Sequence, residues 1–84
     1  MIAPSHTNYI ATFFTHYDAV KCARNFEKLS IEAALSAVPR KLSSSCGTCA
    51  RFSCDLDPLS VIGDDFEQLF RLIDDGFELV ADNR

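Results

Sequence analysis

Three serines, a cysteine and a glycine stand together as Ser43-Ser44-Ser45-Cys46-Gly47, and a second cysteine, Cys49, follows three positions later. The thiolate is the nucleophilic, metal-binding form of cysteine, and neighbouring cations favour it. Between Glu32 and Asp55 the chain has no acid, and that interval holds Arg40, Lys41 and Arg51. Serine hydroxyls can hydrogen-bond nearby backbone or a charged sulfur, and Gly47 permits a tight backbone. Such a set suits an exposed, nucleophilic Cys46 that can hold an anionic terminal sulfur. The residues alone leave a second reading open, a flexible serine-rich connector that contains a cysteine.

Cys46-Gly47-Thr48-Cys49 is also a C-x-x-C step. In a dithiol oxidoreductase that step opens a helix after a strand, whereas here it enters a segment with strand character. A zinc site needs four ligands. Cys46, Cys49 and Cys54 could supply three, with His6, His16 or Cys22 as the fourth. In a regular strand, however, Cys49 and Cys54 point to opposite faces and do not converge. The spacing matches neither common iron–sulfur pattern. No metal is expected.

The elements that must position this loop are readable from periodicity. Residues 8–14 are aromatic and β-branched enough for a first strand. Thr15 stands where an N-cap belongs, with Asp18 in the first turn. Ala19, Cys22, Ala23, Phe26 and Leu29 then recur on one helical face, which makes Cys22 a small buried hydrophobe. A second strand runs to Val38 and stops at Pro39. In a third, residues 49–54, Ala50, Phe52 and Cys54 share one side and Cys49, Arg51 and Ser53 the other.

Asp57-Pro58 reads as the opening of a second helix, with Leu59, Ile62, Phe66, Leu69, Phe70 and Ile73 as its apolar stripe and Gly76 as its stop. A short last strand, residues 77–80, precedes a polar tail, 81–84. This order, β-α-β-β-α-β, predicts an α+β fold of ferredoxin-like type. Its sheet would be four-stranded and antiparallel, made of 9–14, 33–38, 49–53 and 77–80, with two helices on one face.

Eighty-four residues suffice for a single domain over 1–84, with 1–7 as a loose lead-in. Neither a signal peptide nor an apolar run near the ~20 residues of a membrane helix is present, so a cytoplasmic protein is expected. Four cysteines in such a chain do not read as a disulfide framework. The net charge of −4, with acids concentrated after Asp55 and no basic stripe, argues against nucleic-acid binding.

The run Val38-Pro39-Arg40-Lys41-Leu42-Ser43-Ser44-Ser45-Cys46-Gly47, followed by Ala50-Arg51-Phe52, resembles the signature of the selenium/sulfur carrier protein-like family, and the resemblance extends over roughly 8–80. It implies that Cys46 carries sulfur or selenium, as a persulfide or selenosulfide, and the residues expected to support it are Arg40, Ser43, Ser44, Ser45, Gly47 and Arg51. The implied partners are a donor protein and an acceptor enzyme, with no membrane and no cofactor beyond the transient covalent cargo. Nothing in the sequence supplies a positioned base, since His6 lies in the lead-in and His16 at a helix start. A carrier is therefore expected rather than a full catalyst. Cys49 would be a second thiol, able to resolve a persulfide on Cys46 by forming a disulfide. The alternatives are a dithiol redox or metal-binding module using Cys46 and Cys49, and a non-catalytic interaction domain. Oligomeric state is left open.

Overall fold

The computed structural model describes residues 7–55 and 57–84. Its elements follow the order β1 (Thr7–Phe13), α1 (His16–Lys28), β2 (Ala33–Ala37), β3 (Thr48–Cys54), α2 (Leu59–Ile62), β4 (Phe66–Ile73) and β5 (Gly76–Asp82). The strands form one antiparallel sheet in the order β2-β3-β1-β4-β5. The chain is thus an α+β domain, as its segment order predicts. The positions of His6 and the rest of the lead-in before Thr7 lie outside the described residues.

α1 starts where its cap requires. The Thr15 hydroxyl accepts the Asp18 N–H at 3.1 Å, taking up one of the orphan donors of the first turn. Ala19, Cys22 and Phe26 form its buried face. That face packs on Tyr9, Ala11 and Phe13 of β1 and on Ala50, Phe52 and Cys54 of β3. Phe26 and Phe52 meet with ring centroids 4.4 Å apart. At the far end Ser30 takes a left-handed φ of 60°, which ends the helix.

The expected four-stranded ferredoxin-like sheet with a long second helix is not what forms. The Asp57 carboxylate accepts from Leu59 N–H at 3.1 Å, but the N-cap position is Pro58 and α2 is a single turn. Residues 66–73, read as the continuation of its apolar stripe, are the strand β4, and the last strand runs the full length Gly76–Asp82. The reason is a bulge. Thr12 of β1 pairs with Gln68 while the next residue, Phe13, pairs with Phe66, which leaves Glu67 without a partner on β1. A period of two that skips one residue puts Phe66 and Leu69 on the helix side, three apart. Phe70, paired with Ile10, is buried on the other side. Spacings of three and four therefore arise without a helix. Gln68 N–H donates to the Thr12 hydroxyl at 3.1 Å and repairs the ladder at this point.

The face away from α1 is also covered. Ile10, Thr12, Cys49 and Phe70 all lie there and are all buried. A second register shift, between Leu69 and Phe70, bends the β4–β5 hairpin. Pro39, Arg40 and Lys41 from the β2–β3 loop meet Leu72 to Phe77 of that hairpin across a cleft of about 520 Å³. Among the described residues no helix is long and apolar enough to cross a membrane.

Candidate functional site around Cys46

Cys46 sits at the end of the ten-residue connection between β2 and β3, whose base is closed by Val38 N–H donating to the Gly47 carbonyl at 3.2 Å. A first turn forms at its start, where Leu42 N–H reaches the Pro39 carbonyl at 3.0 Å. Gly47 has φ +74°, in the left-handed region, and a Cβ there would meet nothing within 4 Å. Glycine is needed for the backbone dihedral rather than for space.

Each of the three serines is tied down separately. Ser43 accepts from Arg84 Nη2 on its carbonyl at 3.0 Å and on its hydroxyl at 3.2 Å. The Ser44 hydroxyl donates to the Phe13 carbonyl at 3.1 Å and accepts from Cys46 N–H at 3.4 Å. Ser45 donates twice to Glu67, from its backbone N–H to Oε1 at 3.1 Å and from its hydroxyl to Oε2 at 2.7 Å. The run is thus an ordered limb whose hydroxyls replace backbone partners that an irregular segment lacks. The bare connector reading fits this bonding poorly.

The Cys46 thiol lies half-buried against the helix-side core. Its Sγ donates to the Thr48 carbonyl at 3.5 Å and lies 4.0 Å from the Ser44 hydroxyl. Thr48 in turn meets the start of α1, with its hydroxyl 3.2 Å from His16 Nδ1. The helix start and the cysteine therefore converge on one threonine, a link that sequence reading missed for His16.

The other predicted residues go elsewhere. Cys49 is fully buried on the opposite side of β3, with its Sγ 3.6 Å from the Ala37 carbonyl and 3.4 Å from the Ser36 hydroxyl. Arg51 lies on that same side and donates from Nε to Ser36 at 3.1 Å, beside Cys49 rather than Cys46. Arg40 and Lys41 line the cleft against the hairpin and join none of the ion pairs among the described residues. Cys22 and Cys54 are buried in the helix-side core. Burial, with a smaller contribution from Asp65, pushes the Cys22 thiol up to about 12. Among the described residues no three His, Cys, Asp or Glu side chains group as metal ligands.

Sequence reading also missed Glu67 and Arg84. Glu67 is only 2% exposed. Burial opposes its ionisation, but the two hydrogen bonds from Ser45 and the Arg84 guanidinium outweigh that, holding the carboxyl below its usual range. Arg84 Nε reaches Glu67 Oε2 at 3.2 Å. The residues read as a polar tail, 81–84, complete β5, after which Asn83 N–H donates to the Glu67 carbonyl of β4 at 2.9 Å and Arg84 reaches Ser43 of the loop. The available signal was an acid inside an apolar run, Phe66-Glu67-Gln68-Leu69-Phe70.

A family model described as "Putative Se/S carrier protein-like" matches residues 8–58, which span β1 through the entry to α2. No curated protein and no solved structure matches the chain.

Proposed function

The chain belongs to the Se/S carrier protein-like family, and from that premise we propose that it carries sulfur or selenium on Cys46. One observation supports the choice of thiol: of the four cysteines, Cys22, Cys49 and Cys54 are buried, and Cys46 is not. A carrier must meet both a donor and an acceptor, so a sulfur atom sealed in the core cannot serve. Loading needs only thiol chemistry. The Cys46 thiolate attacks the outer sulfur of a donor persulfide R–S–SH, the donor S–S bond breaks, and R–S⁻ leaves. The product is Cys46–S–SH, with no net oxidation, and delivery is the same exchange run onto an acceptor thiolate. A selenium cargo follows the same balance with Se in the outer position.

The bonded serine limb has a role in this scheme. It holds Sγ beside the Ser44 hydroxyl and the Thr48 carbonyl, and the hydroxyl would donate to an anionic terminal sulfur only by turning its one proton away from the Phe13 carbonyl. The dithiol reading draws little support from the geometry, because Cys49 is sealed on the reverse side of β3 while Cys46 packs with the helix-side core. A disulfide between them would need the first residues of β3 to leave the sheet.

Residue-mapped alkylation at neutral pH tests the assignment. Cys46 is expected to react first by a wide margin, with Cys22, Cys49 and Cys54 labelled only after denaturation. Equal labelling of the four, or Cys46 labelled last, would remove it from the role.

A further inference from the structure

We propose that Glu67 and Arg84 are positioning residues for Cys46, forming a clamp that fixes the serine limb from outside the residues that the family model matches. The clamp rests on the carrier reading for its purpose, but its geometry stands independently. Its two members lie beyond the matched residues 8–58, so this anchor comes from a part of the chain that the family match does not cover. The β1–β4 bulge leaves Glu67 without a partner on β1, and its carboxylate reaches the loop, accepting from both Ser45 donors. Bulges commonly re-aim a side chain in this way.

Arg84 closes the other half. Its Nε reaches the same carboxylate while its Nη2 reaches both oxygens of Ser43, a fork that one lysine nitrogen cannot reproduce. Ser43 and Ser45 are thereby gripped on either side of Ser44, whose hydroxyl accepts the Cys46 N–H. A carboxylate 2% exposed is costly without donors, and among the described residues all three hydrogen bonds to its oxygens come from Ser45 and Arg84, so detaching the limb would leave it under-satisfied. The consequence for Cys46 is a fixed backbone and a thiol held half-buried between Ser44 and Thr48.

The test compares wild type with Arg84→Ala, Arg84→Lys and Glu67→Gln by amide hydrogen exchange and by the alkylation rate of Cys46. Arg84 has a side chain 40% exposed, so its removal leaves the core intact. With Arg84→Ala, exchange at residues 43–46 and alkylation of Cys46 should both rise about tenfold, the equivalent of one charge-assisted hydrogen bond in the opening equilibrium. The amides of β1 and β3 should keep their wild-type protection. Arg84→Lys should restore part of the effect and Glu67→Gln should resemble Arg84→Ala. Wild-type loop exchange in both Arg84→Ala and Glu67→Gln would overturn the clamp. So would a rise spread evenly over the strands, which would make the pair a support of the fold only. Sulfur loading is measured separately: failure of wild type to load counts against the carrier reading, while the exchange and alkylation rates still decide the clamp.

Discussion

Two titratable side chains, Glu67 and Cys22, couple the fold to pH in opposite directions. The folded Glu67 carboxyl lies below its unfolded value because Ser45 and Arg84 outweigh the effect of burial. Its contribution to stability is therefore present above the unfolded carboxyl value of ~4.3 and is lost as pH falls through the folded one. Acidification below the unfolded carboxyl value should accordingly cost wild type more stability than Glu67→Gln, whose curve should be flatter there. Cys22 runs the other way, its thiol raised to about 12 by burial. Its contribution holds below the unfolded thiol value of ~8.5 and is lost as pH rises toward the folded one. Cys22→Ala should blunt the alkaline loss of stability above about pH 9, and an unchanged alkaline limb would show that Cys22 is not its source.

At the scale of elements, the loop depends on Gly47 and on the bulge opposite it. Gly47→Ala forces a residue with Cβ into the left-handed region, which should destabilise the chain by about 1–2 kcal/mol although no atom is in the way. Chemical denaturation checks this, and a neutral effect would mean that the loop relaxes its φ. The first strand was legible from its aromatic and β-branched residues, and α1 and β3 from one clean period each. Thr15 caps α1 as its position suggests, and the two sides of β3 separate Cys49 from Cys54 as alternation requires. β4 was not legible. A strand buried on both sides, with Glu67 skipped, places Phe66, Leu69 and Phe70 at spacings shared with a helix. The serines and Cys46 stood out locally, but their partners did not. Phe13, Glu67 and Arg84 approach the loop through sheet order and bulge geometry, which no short window of sequence contains.

For the molecule as a whole, the sheet is buried on both sides, with α1 packed on one and Ile10, Thr12, Cys49 and Phe70 buried on the other. Phe26 is fully buried at the centre of the helix side, so Phe26→Ala should cost about 3–5 kcal/mol in unfolding free energy. A loss below ~1 kcal/mol would mean that this layer is far looser than the burial of Phe26 implies. The layered build gives the thiol a rigid frame in which three cysteines are interior and the fourth stands at the rim. Intact-mass measurement tests that account most directly. The reduced chain is incubated with a persulfide donor, desalted, and then given an excess of acceptor thiol. The account predicts a gain of one sulfur, ~32 Da, on Cys46, its loss to the acceptor, and no gain in a folded Cys46→Ser chain. A wild-type chain that gains no sulfur, or a Cys46→Ser chain that gains it equally, would contradict it.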